Sequence, residues 1–298
     1  MLRKTVWLVL ATALPFSLAS GADAPQRQTK LSAAAIVDKD VAARGGLQAW
    51  RSVQTMTMSG TLGAGGNERA TLVAPAPVSP SHKGFQATMP ARPKDEVRLP
   101  FTMYLARSRK MRIELKFNGD TALQVFDGTN GWKLRPYLNR RVVEPYTAEE
   151  MKTSSAQSDL DGPLVDYAVK GSKVELVGTE KVEGRNTYKI KLTMKNGQSE
   201  NVWIDAETFL ETKIEGQPRR LDGTDHPVEV YYRDYRAVNG VQVPFLIETR
   251  VLPVAKTAMG LRDTPVPPEQ MIFDKIVVNP KLDASLFTKP EVLQSSAK

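Results

Sequence analysis

The chain reads as mainly β with a few helices: a strongly curved antiparallel sheet that wraps over its helices and leaves apolar space along its concavity. The first observation is alternation. In residues 187–194, Tyr188, Ile190, Leu192 and Met194 share one face while Lys189, Lys191 and Thr193 share the other, the signature of a half-buried antiparallel strand. The second is turn chemistry at hairpin spacing. Four Asn-Gly pairs begin at Asn118, Asn130, Asn196 and Asn239, joined by Asp127-Gly128. Such pairs supply the positive φ angles of tight hairpins, whereas parallel crossovers need a dozen or more residues. The third is a shortage of helix. Two helical segments totalling roughly 25 residues cannot cover a flat sheet of about ten strands, so the apolar face must curl around them.

The elements follow in order. Ser32 is placed to cap a helix whose stripe is Ala33, Ile36, Val37 and Val41, and Gly45-Gly46 end it. Leu47, Trp50 and Val53 lead into a first strand over residues 55–62. From 63 to 100 the pattern fails: Gly65-Gly66 and six prolines (Pro75, Pro77, Pro80, Pro90, Pro93, Pro100) read as an excursion between strands. Order returns at Phe101, and residues 112–117 alternate with Ile113, Leu115 and Phe117 inward. Thr147 and Glu150 form a capping box for a short helix to about Gln157. Residues 173–215 write a meander, with both Asn196 and Gly197 expected at positive φ. Later strands cover 228–235, 241–251 and 271–278, and the segment Asp222 to Pro227 reads as a polar hairpin loop carrying His226.

Composition narrows the setting. Residues 1–22 have the form of a cleavable export signal: Arg3 and Lys4, an apolar core from Trp7 to Leu18 interrupted by Pro15, then Ser20, Gly21 and Ala22. That core is short of the roughly 20 residues that span a bilayer. Residues 23–290 then form a single domain and 291–298 a flexible tail. The chain has no cysteine, which excludes acylated lipobox anchoring, disulfides and thiol chemistry. Loss of the signal lowers the formal charge from +8 to +6, a mild excess that suits anionic head groups and, without a concentrated basic patch, gives no case for nucleic acid.

Five segments resemble one family. They are residues 43–47 (Ala43 to Leu47), 126–132 (Phe126 to Trp132), 161–167 (Asp161 to Tyr167), 202–210 (Val202 to Leu210) and 238–245 (Val238 to Phe245). Together they look like bacterial outer-membrane lipoprotein-sorting, LolA-like proteins, and the similarity runs from Leu31 to Phe287. The resemblance implies an incomplete, unclosed antiparallel barrel covered by helices, a periplasmic location, and an apolar concavity holding acyl chains of lipids or lipoproteins. It also implies transient donor and acceptor proteins at the inner or outer membrane. The excursion 63–100 has no counterpart in the family pattern.

The candidate lipid-binding residues are the inward set: Ile113, Leu115, Phe117, Phe126, Tyr188, Ile190, Leu192, Val202, Ile204, Val230 and Phe245. Taken singly, each reads first as a core residue, since core burial explains an apolar strand face without a ligand. Met56, Met58, Met111, Met194 and Met271 could adapt to varied ligands or fill gaps. Glu149, Glu150, Asp159, Asp161 and Asp166 cluster in sequence, but Glu150 caps a helix and Asp161-Gly162-Pro163 reads as a turn. With no nucleophile elbow, phosphate loop or zinc motif, the expectation is a carrier or binding protein with no enzymatic activity, cofactor or metal. A protein-interaction or sensing module on the same fold is the alternative, and an envelope glycan or lipid hydrolase a more distant one.

Overall fold

The computed structural model describes residues 31–63, 97–136, 140–221, 223–256, 260 and 266–291. The export signal, most of the excursion 63–100 and the tail fall outside the described residues. From Ser32 onward the chain builds one antiparallel sheet of thirteen strands, three more than the rough sequence count. They are β1 (Thr55–Gly63), β2 (Arg98–Ala106), β3 (Lys110–Phe117), β4 (Asp120–Phe126), β5 (Gly131–Arg135), β6 (Arg140–Pro145), β7 (Lys173–Val182), β8 (Arg185–Thr193), β9 (Ser199–Asp205), β10 (Glu211–Leu221), β11 (Thr224–Val238), β12 (Val241–Val251) and β13 (Glu269–Val278). The spatial order is β6-β5-β4-β3-β2-β1-β13-β12-β11-β10-β9-β8-β7. The one non-sequential join is β1 to β13, and β6 and β7 are the two edges, so the sheet is not closed into a barrel.

Register assigns the faces. Met56, Met58, Gly60 and Leu62 of β1 lie opposite Leu105, Met103, Phe101 and Leu99 of β2, and the row passes to Met111, Ile113 and Leu115 of β3. At the other half, Tyr188, Ile190 and Leu192 of β8 face Ile204, Val202 and Glu200 of β9. These residues share the inner face, because period-two alternation carries each row across the sheet. The face is concave: Arg219 on β10 makes a bidentate 2.8 Å pair with Glu269 on β13. Two strands intervene, a span of roughly 14 Å on a flat sheet that curling shortens.

The helices cover one end of this face. α1 (Ala33–Ala43) starts where Ser32 Oγ accepts the Ala35 amide, and it buries Ile36, Val37, Asp40 and Val41. It ends at Gly45, φ 111°, where a Cβ would lie 2.2 Å from the Gly240 carbonyl oxygen. Only glycine lets this corner meet the β11–β12 hairpin, where the Gln242 amide bonds the Arg44 carbonyl at 2.9 Å. α2 (Leu47–Ser52) buries Trp50. α3 (Ala148–Gln157) has the full capping box of Thr147 and Glu150, and Glu150 also takes the Lys133 ammonium of β5 at 2.5 Å.

The convex face carries its own small cluster. Val182, Trp203 and Tyr231 bury one another, the Lys213 ammonium sits 3.8 Å above the Trp203 ring, and Glu183 in the β7–β8 turn reaches Arg233 and Arg250. A 3₁₀ turn, Ala284–Phe287, also docks there, with Arg112 donating to the Leu286 carbonyl.

Several local expectations change. β2 begins at Arg98, not Phe101, because Arg98, Leu99 and Pro100 pair with β1 alone and the ladder to β3 starts at Phe101, so Pro100 occupies an edge position. Asn118-Gly119 and Asn239-Gly240 have both residues at positive φ, as primed hairpin turns require, but at the third pair only Gly197 does. There the loop is longer: Met194 leaves the strand, its amide bonded to the Gln198 carbonyl. Gly131 starts β5 instead of turning. His226 is not in a loop; it is 2 % exposed within β11, its Nδ1 3.2 Å from the Leu252 carbonyl oxygen.

Candidate ligand-binding concavity

The eleven inward residues named from the sequence all fall on the concave face by register, but in two states of packing. Phe126, Ile190, Leu192, Val202, Ile204 and Phe245 are buried, between 0 % and 7 % exposed. They are packed as core. Ile113, Leu115, Phe117, Tyr188 and Val230 are half-buried.

The half-buried residues extend into a band that the sequence did not reveal. From Ile113 and Leu115 on β3 it runs through Met103 and Leu99 on β2 to Leu62 on β1. Leu62 lies opposite Met271 of β13, Met271 opposite Ile247 of β12, and Ile247 opposite Tyr232 of β11. Six neighbouring strands thus present a continuous, partly uncovered apolar surface. It lies away from the end that α1, α2 and the segment after α3 cover. Leu62, Leu99, Met103, Ile247 and Tyr232 escaped notice because β2 sits beside the proline-rich stretch and because alternation cannot rank burial along a strand.

The covered end holds a charged core. Arg44 Nη1 bonds Glu211 Oε1 at 3.1 Å, its guanidinium lies 4.5 Å from the Trp50 ring centroid, and the Tyr235 hydroxyl donates to the Glu211 carbonyl at 3.1 Å. Burial disfavours the Arg44 charge, but Glu211 and Asp40 outweigh it and keep the guanidinium protonated. Asp40 is 0 % exposed, and neither carboxylate oxygen completes a hydrogen bond. Burial and then the Glu211 charge push its carboxyl well above the usual range, against Arg44 and the nearby Glu211 amide.

Farther along the same face, Glu200 is half-buried opposite Leu192. Burial, then the charges of Glu211 and Glu215, push its carboxyl up to about 7.

Of the carboxylates clustered around α3, Glu150, Asp159, Asp161 and Asp166 are structural ties. Asp161 is 2 % exposed and takes Arg107 at 2.5 Å and Lys170 at 2.8 Å, while Asp159 shares Lys170 and Asp166 takes a bidentate Arg51. Burial alone would raise the Asp161 carboxyl, but hydrogen bonds with Asp159, Lys170 and Arg107 bring it below its ordinary value. The turn expected at Asp161 exists, with Gly162 at φ 78°, yet Asp161 also anchors the β2–β3 turn to α2 through Arg107. No group of three or more metal-ligating side chains occurs among the described residues. An open depression of about 540 Å³ lies on the opposite, convex face, lined by Lys110, Asp127, Trp132, Phe287 and Lys289. It has no connection to the apolar band.

No described helix is long and apolar enough to cross a membrane. No family model matches the chain, and no curated protein matches it. Among solved structures it is similar to a LolA superfamily protein from Nitrosomonas europaea, at 12 % identity and a TM-score of 0.49 over 87 % of this chain and 98 % of that one. It is similar to a DUF1329 family protein from Desulfovibrio piger, also at 12 % identity and 0.49, over 86 % and 97 %. An outer membrane lipoprotein-sorting protein domain from Vibrio parahaemolyticus is similar at 10 % identity and 0.45, over 86 % and 96 %.

Proposed function

We propose that this chain is an exported, periplasmic carrier or binding protein for lipids or acylated lipoproteins, with residues 1–22 as its export signal and no covalent chemistry of its own. The observation that carries the reading is the half-buried apolar band across six strands of the concave face. Apolar area left in water is costly, and an acyl chain that covers it gains about 0.8 kcal/mol per buried methylene. A chain of about 14 methylenes therefore gains roughly 11 kcal/mol gross, before the costs of ordering it. Met103 and Met271 sit in the band and give it the adaptability that mixed acyl chains require. Cargo passes between donor and acceptor proteins at the two membranes, with the surplus of basic side chains favouring encounter with anionic head groups.

The test is a pair of inner-face substitutions with different packing. Ile113→Glu, in the half-buried band, should leave folding intact and remove uptake of a fluorescent fatty acid. Leu192→Asp, at 0 % exposure, should instead unfold the domain. Full uptake by folded Ile113→Glu would refute the proposed surface.

One observation favours a second reading, a protein-interaction module. Both sheet edges carry an exposed apolar side chain, Val142 on β6 at 64 % and Val177 on β7 at 55 %, and a free edge can accept a partner strand.

A further inference from the structure

The open depression of about 540 Å³ on the convex face lies apart from the concavity, and two of its walls are aromatic. Trp132 of β5 stands in one cross-strand row with Val125 of β4 and Arg112 of β3. Arg112 donates to Glu114 at 2.7 Å and to the Leu286 carbonyl at 3.2 Å, so it ties the 3₁₀ turn to this row and brings Phe287 into the lining. The turn itself is capped, with Asp283 Oδ1 accepting the Ser285 amide at 2.8 Å. A further side is the β4–β5 loop, fixed by Asp127, whose carboxylate accepts the Thr129 and Asn130 amides at 2.8 and 2.7 Å and the Asn130 side chain at 3.2 Å. Loop and turn are thus tied down before any ligand arrives, which lowers the cost of ordering them. The volume also falls within the roughly 300–1,000 Å³ of small-molecule sites.

The polar groups of the depression are unevenly committed. Asp127 turns its acceptors into its own loop. Lys110 of β3 and Lys289, which follows the 3₁₀ turn, line the depression, and among the described residues neither ammonium completes a hydrogen bond or salt bridge, nor does the Trp132 indole N–H. Burial alone would raise the Asp127 carboxyl, but the Asn130 and Thr129 amides, the Asn130 side chain and the Lys110 charge bring it below its ordinary value. The lining therefore carries two cations against one anion, and its uncommitted charged groups are both donors. We propose that this depression is a second binding site, for a small anion carried on a flat apolar ring, such as an aromatic carboxylate, sulfonate or phosphate. Its ring lies against Trp132 and Phe287, and its charged group meets Lys110 and Lys289. The inference stands apart from the carrier reading, since the depression has no connection to the apolar band.

The test reads the indole signals of Trp50, Trp132 and Trp203 in proton–nitrogen NMR spectra of residues 23–298, titrated with naphthalene-2-sulfonate, the neutral naphthalene-2-methanol and the ringless methanesulfonate. The naphthalene sulfonate should shift the Trp132 signal and leave those of Trp50 and Trp203, which are 1 % and 3 % exposed. The alcohol should bind at the same place about three- to tenfold more weakly, and the difference should shrink in about 0.5 M salt, because contacts to exposed ammoniums are screened. Methanesulfonate should give no shift at the same concentration. Lys110→Met with Lys289→Met should equalise sulfonate and alcohol while keeping alcohol affinity. Lys289→Glu, at an exposed position, should put the alcohol ahead. Ile113→Glu, in the concavity, should change none of this. No Trp132 shift with either naphthalene overturns the site. Equal affinities in the parent chain, or a sulfonate preference that survives the double substitution in a folded chain, overturn the anion, and methanesulfonate binding as tightly as its naphthalene counterpart overturns the ring.

Discussion

Replacing Arg44 by Met removes the one cation of the charged core while keeping much of the side-chain volume. Arg44 and Glu211 have side chains 8 % and 5 % exposed, and their contact is 3.1 Å. The loss strands the buried Glu211 carboxylate beside Asp40 without its cation. Breaking a buried pair from one side costs about 3–5 kcal/mol, mostly as the stranded charge. Loss of the stacking on Trp50, at 4.5 Å, adds on the order of 1 kcal/mol. Against a total stability of roughly 5–15 kcal/mol, Arg44→Met should bring the domain close to unfolding. With a urea slope of about 3 kcal/mol per M for a chain of this size, the midpoint should fall by roughly 1–2 M. Chemical denaturation followed by tryptophan fluorescence measures this. Glu211→Gln in the Arg44→Met background should recover most of the loss, because it removes the stranded charge. A loss under about 1 kcal/mol, or strict additivity of the two substitutions, would refute the view that this core is held by charge pairing.

Other outcomes follow from the same physics. Asp40→Asn should stabilise the domain more at pH 8 than at pH 4: the folded pKa of Asp40 is raised, so the unfolded chain ionises first and stability falls as pH climbs above the ordinary carboxylate value; equal denaturation midpoints for variant and parent at both pH values would contradict this. Glu200, with its carboxyl pushed up to about 7 from 4.5, should add a decline between those pH values, no more than about 2 kcal/mol after solvent screening, and Glu200→Gln should flatten it in thermal melts. Gly45→Ala should cost about 2 kcal/mol or more, since its Cβ would meet the Gly240 carbonyl oxygen at 2.2 Å and its φ of 111° strains any other residue; a melting temperature within a degree of the parent would contradict the tight corner.

Much of the sheet was legible because its periods are local. Residues 187–194 and 112–117 alternate cleanly, and β8 and β3 stand there; the capping box at Thr147 produced α3 within the expected limits. The join of β1 to β13 was not legible, since no local pattern announces a pairing across more than 200 residues. Strand β2 was truncated because Pro100 signals a breaker wherever it occurs, while its tolerance depends on which neighbour lacks a ladder. The site was half legible: parity placed Ile113 and Ile190 on one face, but only the position of the helices decides that Ile190 is sealed and Ile113 is not. No local pattern marks Glu200; its half-buried place on the inner face follows from the parity it shares with Val202 and Ile204, which requires the sheet to be known. Asp161 looked like a turn residue for the same reason, as its partners Arg107 and Lys170 come from different parts of the chain.

The most direct test of the central claim is to recover the chain natively from the envelope of a cell that exports it, extract the bound organic molecules and identify them by mass spectrometry against a heat-denatured control. The account predicts about one lipid or acylated peptide per chain, released on denaturation. A protein that arrives empty and takes up no added acyl chain would contradict it, and the apolar band would then be a surface for another protein.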